Sequence, residues 1–264
     1  MRSFRNFLSW LPIPRAVRLP TDPVSPTWPT LIHKQVPIVA RLSQSDQDRL
    51  FHIMQLFFRE VPIEGCRGME LTEEMCLTIG AQACLLLLRM PYPRYTGVRR
   101  VLVYPSSFIP PSETLHPSGE LVHPDEPLDG EAWQGGVVVL GWDAVQRATG
   151  VVNHGENVVF HEFAHMLDAE DGHLDGVPVF DSRSAYRAWT ALLSQKFAEH
   201  SERVERGDAT ILDPYGSENR AEFFAVATEA YFTRPTALRK EQPVLYELLL
   251  DFYKIDPGLL IAAG

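Results

Sequence analysis

The stretch HEFAH, from His161 to His165, decides how this sequence is interpreted. Histidines four positions apart on a helix project from one face about one turn apart, so both rings can bind one cation. Glu162 is rotated by about 100° from His161, where its carboxylate can act on a water molecule without binding the cation. The stretch therefore predicts a helix that carries two metal ligands and a general base.

The same pattern also fits a helix without a metal, in which both histidines are surface residues or hydrogen-bonded core residues. The apolar neighbours Val159, Phe163 and Leu167 favour the metal site, because they provide the buried body that such a helix needs. A catalytic zinc usually has three protein ligands and one open position. A third ligand is therefore required.

That third ligand has to come from elsewhere in the chain. The longer HExxHxxGxxH pattern fails, because Asp168 and Asp171 occupy its glycine and histidine positions and His173 is displaced by two. We predict Glu222, near the start of an apolar helix, because a buried carboxylate is costly unless a metal compensates its charge. The helix dipole also favours a first-turn glutamate without any metal. Glu229, two turns later on the same face, is the alternative ligand or a partner of a ligand.

Asp168 also lies on the ligand face of the HEFAH helix, three residues after His165. The dipole disfavours an acid near a helix C-terminus, so Asp168 needs a compensating partner. A hydrogen bond from the outer nitrogen of a ligating histidine would supply one. The alternative is a solvated carboxylate at the end of the helix.

The composition limits the classes of function. A chain of 264 residues, 45% apolar and 22% charged, has ample material for one packed domain. The net charge of −10 opposes binding to nucleic acid and to anionic membranes, and the longest apolar run, 76–88, is too short to cross a bilayer. Prolines 12 and 14 interrupt the only apolar stretch near the start, which argues against a signal peptide. The odd number of cysteines, three, predicts reduced thiols and a cytoplasmic location.

Periodicity and capping residues predict an α+β fold, mainly helical with a small sheet. Six prolines make residues 1–35 an irregular N-terminal arm, so that residues 36–264 form the single domain. Predicted helices span 46–59, 72–90, 157–169, 182–200, 220–232 and 243–253, and predicted strands span 99–105 and 136–142. The polar stretch 110–135 is a loop or a hairpin. We expect the strand at 136–142 to offer a free edge to an extended substrate.

A resemblance to a known family is carried by several motifs between about residues 45 and 255: GC (65–66), LTEEM (71–75), AQACLLLL (81–88), VLVYP (101–105), GENVVFHEFAH (155–165), DPY (213–215) and AEFFAV (221–226). These motifs resemble the Mlc titration factor A, or DgsA anti-repressor, family of bacterial zinc metallopeptidases, whose catalytic core is similar to that of anthrax lethal factor. The resemblance implies a zincin-like domain of the gluzincin type, with one zinc held by His161, His165 and Glu222. It also implies that Glu162 is the general base and that Tyr215 donates a hydrogen bond to the reaction's oxyanion. Without the resemblance, Tyr215 is a packing aromatic in a Pro-Tyr-Gly turn.

The function implied by this resemblance is that of a zinc-dependent peptidase, an aminopeptidase rather than an endopeptidase, acting on peptides or proteins. The family's named partner, Mlc, is a transcriptional repressor, so binding such a repressor is a second implied role. The alternative from another class is a non-enzymatic protein that sequesters a repressor and uses zinc for folding. Residues 1–35 match the family poorly and residues 112–129 are not distinctive, so neither segment inherits a role.

Overall fold

The computed structural model describes residues 16–17, 19, 24–106, 114–115, 121–122, 130–133, 135–149 and 155–262. The helices in these ranges are α1 (Trp28–Gln35), α2 (Gln44–Glu60), α3 (Glu73–Leu86), α4 (Trp142–Ala148), α5 (Val158–Asp168), α6 (Arg183–Glu205), α7 (Arg220–Thr233), α8 (Pro235–Glu241), α9 (Pro243–Tyr253) and α10 (Pro257–Ala262). The strands are β1 (Ala16–Val17), β2 (Ile63–Gly65), β3 (Arg100–Tyr104), β4 (Thr114–Leu115), β5 (Leu121–Val122), β6 (Gly130–Trp133) and β7 (Val137–Gly141). The expected α+β architecture, mainly helical with a small sheet, is confirmed.

The main sheet has the strand order β1-β2-β3-β7-β6. Its three central strands are parallel, while β1 and β6 pair antiparallel at the two ends. Strand β7 thus has a neighbour on each side, because the chain just before it returns as β6. The expectation that 136–142 offers a free edge to a substrate is therefore wrong.

The helical core forms around α3, which is apolar almost all round and buried throughout from Met75 to Leu86. Thr72, which precedes Glu73 and Glu74, caps this helix by accepting a hydrogen bond from the Met75 N–H. Helix α5 packs between α3 and α7, and its Phe163 ring contacts the rings of Phe57 and Tyr95. The helix that carries HEFAH is thus held from two sides by other helices.

Most predicted helix boundaries agree with the structure to within a few residues. Helix α9 matches its prediction at both ends, and α5 and α7 differ by one residue. Helix α2 begins two residues before its predicted start, because the Ser43 side chain accepts the capping hydrogen bond from the Asp46 N–H. Helix α3 ends at Leu86, four residues before the predicted end, and α6 continues five residues beyond its own.

The expected irregular arm is wrong for residues 28–35, which form helix α1. The side chains of Trp28 and Ile32 are fully buried in the core, and Trp28 Nε1 donates a 3.2 Å hydrogen bond to Glu73 Oε1. Pro29 is compatible with this helix because it lies in the first turn, where a backbone N–H has no intrahelical partner. Residues 16–17 also pair with β2. Proline density therefore concealed a core element, and residues 1–15 lie outside the described residues.

The polar stretch 110–135 lies mostly outside the described residues. Its described parts are the antiparallel pair of β4 and β5, which agrees with a hairpin, and strand β6. The three cysteines, Cys66, Cys76 and Cys84, are buried free thiols, as their number predicted. Within the described ranges, every helix lacks the length or the apolar character needed to cross a bilayer.

Candidate metal centre

Two asparagines begin the two helices that build the site. The Asn157 side-chain oxygen accepts hydrogen bonds from the N–H groups of Val159 and Phe160 and starts α5. Asn219 caps α7 in the same way and places Glu222 in its first turn. Both caps use the side-chain oxygen to satisfy N–H groups that have no partner inside the helix. The starts of α5 and α7 are therefore well defined.

Three side-chain atoms from α5 and α7 converge on one point. His161 Nε2 lies 3.0 Å from Glu222 Oε2 and 3.1 Å from His165 Nε2, and His165 Nε2 lies 3.2 Å from Glu222 Oε2. Tetrahedral zinc with ligands at about 2.0–2.2 Å separates its ligand atoms by about 3.3 Å. Two imidazole nitrogens and one carboxylate oxygen are also a typical donor set for this metal. The three residues thus fit a metal ion in both spacing and chemistry.

The charges around His161 favour a cation at this point. Burial by itself lowers the pKa of His161, but hydrogen bonds to Glu222 and Glu229 outweigh it and raise the pKa well above its ordinary value. Burial raises the pKa of Glu222, but the nearby His165 and His161 lower it well below its ordinary range. A buried carboxylate thus remains ionised because positive charge lies beside it.

Glu229 binds the outer nitrogen of His161. The distance from His161 Nδ1 to Glu229 Oε1 is 2.7 Å, whereas His161 Nε2 points to Glu222. With the Glu229 oxygen as the acceptor, Nδ1 carries a hydrogen, and Nε2 is the nitrogen available to a metal. Of the two roles open to Glu229 from the sequence, the structure places it in the position of a ligand's partner.

Asp168 has neither of the environments that the sequence suggested. Its side chain is fully buried, and its two oxygens accept hydrogen bonds from the N–H groups of Gly176 (2.8 Å) and Val177 (2.7 Å). The expectation of a bond to a histidine ring nitrogen is therefore wrong, and so is the solvated alternative. Burial raises the pKa of Asp168 to about 6, although both backbone hydrogen bonds act to lower it. Asp168 fastens the turn at Gly176 to the end of α5.

The turn at Gly176 in turn lies against the start of α7. Gly176 has a φ of +77°, and a Cβ added there would come within 2.4 Å of the Arg220 carbonyl oxygen. The Trp189 indole donates a 2.9 Å hydrogen bond to the Gly176 carbonyl. Asp168 thereby links the helix of the two histidines to the helix of Glu222.

The two predicted catalytic residues are neighbours of His161, Glu162 in the sequence and Tyr215 in space. Glu162 is buried on α5, next to His161 in sequence, and Tyr215 is 41% exposed. The centroid of the Tyr215 ring lies 6.1 Å from that of His161. Tyr215 belongs to a 3₁₀ turn, Pro214–Ser217, which begins where the Asp213 side chain accepts a hydrogen bond from the Tyr215 N–H. The turn thus places the tyrosine ring near the ring of His161.

Sequence reasoning missed two polar residues that support the site. His200, buried on α6, lies with its Nε2 3.1 Å from the Asp213 carbonyl oxygen and so holds the turn that carries Tyr215. Gln82, buried on α3, contacts the side chain of Asn157. The sequence offered one signal for Gln82, since it is a lone amide in an otherwise apolar segment. His200 carried no such signal, because its partner is a backbone carbonyl 13 residues further along the chain, and the sequence does not show which carbonyl a side chain will meet.

Comparison with known proteins assigns the family. A model of the glucose-regulated metallopeptidase family M90 matches residues 12–254. The chain belongs to this family. The match begins within the first 35 residues, so most of the segment expected to match poorly is part of the family's common sequence.

Individual relatives support the same assignment. An uncharacterized protein of Synechocystis is 33% identical over 259 residues, covering 96% of this chain and 91% of its own length. Mlc titration factor A of Yersinia enterocolitica is 30% identical over 226 residues, covering 84% of this chain and 83% of its own. Mlc titration factor A of Pectobacterium atrosepticum is 30% identical over 249 residues, covering 91% and 92%. The resemblance to the Mlc titration factor A family is thus confirmed.

Proposed function

We propose that this protein is a zinc-dependent peptidase of the gluzincin type, with His161, His165 and Glu222 as the ligands of one zinc ion. The observation that carries the proposal is the convergence of His161 Nε2, His165 Nε2 and Glu222 Oε2 within 3.2 Å of one another. A mixed imidazole and carboxylate set of three suits a catalytic zinc with an open fourth position. A structural zinc site is usually closed by four protein ligands, many of them cysteines. Membership in a metallopeptidase family supports the catalytic interpretation.

The chain's own residues supply the acid–base chemistry in this proposal. Zinc would supply Lewis acidity there, which lowers the pKa of a water molecule to about 7 and polarises a peptide carbonyl. The Glu162 carboxylate takes the proton from the attacking water and passes it to the nitrogen of the leaving amine. The Tyr215 hydroxyl donates a hydrogen bond to the oxygen on which negative charge develops. The partial exposure of Tyr215 fits this role, because a substrate has to reach it.

The substrate class in the proposal is a peptide or protein with a free amino terminus. The family resemblance is the basis for preferring an aminopeptidase to an endopeptidase. A matched pair of peptides, one with a free and one with an acetylated amino terminus, separates the two activities. Cleavage of the acetylated peptide at an equal rate would contradict the aminopeptidase assignment.

A second candidate function is capture of a transcriptional repressor. The relatives named Mlc titration factor A carry Mlc in their names, and we propose a partner of the same type for this chain. The buried free thiols and the net charge of −10 support a cytoplasmic protein that acts on a partner protein and not directly on nucleic acid. In the non-enzymatic form of this function, zinc serves only folding, and the protein sequesters the repressor.

The experiment that tests the proposal compares the wild type with Glu162→Gln. The variant should retain one zinc per chain by metal analysis, while peptide hydrolysis falls by at least a hundredfold, because a positioned base contributes about 10²–10⁴-fold. Glu202→Gln, at an exposed glutamate on α6, is the matched control and should keep full activity. If Glu162→Gln hydrolyses peptides at the wild-type rate, the enzymatic proposal fails. A pull-down of the repressor with the same variant tests the second function separately.

A further inference from the structure

A chain of buried hydrogen bonds runs from α3 to the candidate metal ligand His161. Gln82 Nε2 donates to the Thr78 carbonyl at 3.2 Å, and Gln82 Oε1 accepts from Asn157 Nδ2 at 2.6 Å. The Asn157 N–H donates to Glu229 Oε2, and Glu229 Oε1 binds His161 Nδ1 at 2.7 Å. Gln82, Asn157 and Glu229 are each at most 7% exposed. The chain therefore lies in surroundings where each bond is expensive to lose.

The orientations of the two side-chain amides, Gln82 and Asn157, are determined by neighbouring backbone groups that can only accept or only donate. The Thr78 carbonyl can only accept, so the Gln82 amide must turn its nitrogen to it and its oxygen to Asn157. At the other end, the N–H groups of Val159 and Phe160 can only donate, so Asn157 must turn its oxygen to α5 and its nitrogen to Gln82. The two requirements agree on the Gln82–Asn157 contact. Neither amide can flip without leaving a buried group unsatisfied.

We infer that Gln82 is a positioning residue for the metal centre, acting through Asn157 and Glu229 on His161. Gln82 holds the Asn157 side chain, and the backbone N–H of Asn157 holds one oxygen of Glu229. The other oxygen of Glu229 orients the His161 ring with Nε2 toward Glu222 and His165. Partners of metal ligands typically change metal affinity by 10–100-fold when lost, and Gln82 acts two contacts further away. The inference rests on the proposed function, because it assumes that His161 binds zinc.

The test uses Gln82→Met, which has a similar volume but can neither donate nor accept a strong hydrogen bond. Zinc affinity, measured by competition with a chromophoric chelator, should fall roughly fivefold to tenfold, somewhat less than for a direct partner. Thr78→Val is the matched control, because it removes a partly buried hydrogen bond from the same helix, that of Thr78 Oγ1 to the Glu74 carbonyl, and leaves the chain of hydrogen bonds intact. Thr78→Val should change zinc affinity less than about twofold, since its carbonyl still accepts from Gln82.

A second variant addresses the case in which Gln82→Met does not fold. Asn157→Ser keeps a good capping residue at the start of α5 but removes the donor to Gln82. Asn157→Ser should weaken zinc binding to a similar extent as Gln82→Met. The double variant should bind zinc no more weakly than whichever single variant has the lower affinity, because both substitutions act through one chain of hydrogen bonds. Additive losses in the double variant would overturn the inference.

A spectroscopic readout distinguishes positioning from general destabilisation. In zinc-loaded protein with ¹⁵N-labelled histidine, the Nδ1 proton of His161 should exchange slowly in the wild type and in Thr78→Val. It should exchange at least severalfold faster in Gln82→Met or Asn157→Ser. Wild-type affinity and exchange in both of these variants would overturn the inference and leave the proposed function intact. Absence of zinc binding by the wild type would instead overturn the proposed function.

Discussion

Asp168 offers a direct test of how the two ligand helices are joined. Its carboxylate is fully buried at the end of α5, and it accepts the N–H groups of Gly176 and Val177. Replacement by asparagine preserves the shape and removes the ionisation. It also places an amide NH₂ against one of the two N–H donors, which leaves that donor unsatisfied.

The magnitude follows from the pKa of Asp168, which burial raises from 3.8 to about 6. A raised pKa means that the folded protein binds more protons than the unfolded chain, so the free energy of unfolding falls as pH rises through this window. A difference of about two pKa units corresponds to about 3 kcal/mol over the whole window. About 1 kcal/mol of this is lost between pH 5 and pH 7, because Asp168 is already mostly ionised at pH 5 in the unfolded chain, whereas in the folded protein it ionises mainly between these two pH values.

The assay is urea denaturation at pH 5 and pH 7, after dialysis against a strong chelator so that no metal charge contributes. The difference in free energy of unfolding, wild type minus Asp168→Asn, should fall by about 1 kcal/mol from pH 5 to pH 7. Asp251→Asn is the control, since Asp251 is an aspartate on α9 whose side chain is 88% exposed. Its difference from the wild type should not follow the same trend. A constant difference for Asp168→Asn would show that the carboxylate is ionised at pH 5, which refutes the burial argument.

Two further predictions concern the supports of the site. Glu229→Leu should lower zinc affinity by about 10–100-fold, because the His161 ring loses the acceptor at its outer nitrogen; chelator competition measures this, and unchanged affinity would contradict it. Gly176→Ala should lower the free energy of unfolding by more than about 2 kcal/mol in urea denaturation, because it adds a clash with the Arg220 carbonyl to the cost of a positive φ. Gly172→Ala is its control, since Gly172 has a φ of +91° but open space around its Cα, and it should cost only about 1–2 kcal/mol. Equal losses in the two alanine variants would show that the contact with Arg220 contributes nothing.

Local signals in the sequence were sufficient for most of the helical framework. Capping residues such as Thr72 and the 3.6-residue spacing of apolar side chains depend only on neighbours within one or two turns. They led to the start of α3 and to both ends of α5 within one residue of their observed positions. Helix α1 was missed because the local density of prolines indicated irregular structure. The burial of Trp28, in contrast, depends on contacts with helices that are distant in the sequence.

The arrangement of the sheet could not be predicted in the same way. Strands β3 and β7 each show a β-branched run, but which strands become neighbours depends on chain pairing over long distances. The antiparallel return of β6 occupies the second side of β7, and nothing in 136–142 itself indicates it. A statement about a free edge requires knowledge of every other strand.

The sequence by itself determined the helix with two histidines on one face and a glutamate between them, because a four-residue spacing on a helix places side chains together regardless of the rest of the fold. The roles of His161, His165 and Glu222 as zinc ligands remain predictions that metal analysis will test. Only the tertiary structure determined which carboxylate contacts the outer nitrogen, Nδ1, of His161. Asp168 lies on the same helix face as His161, yet its carboxylate accepts the backbone N–H of Gly176. Glu229, on another helix, contacts His161 instead, and it is linked through Asn157 to Gln82. The reason is physical: a buried carboxylate binds whichever donors packing brings to it, and packing joins residues that lie far apart in the chain.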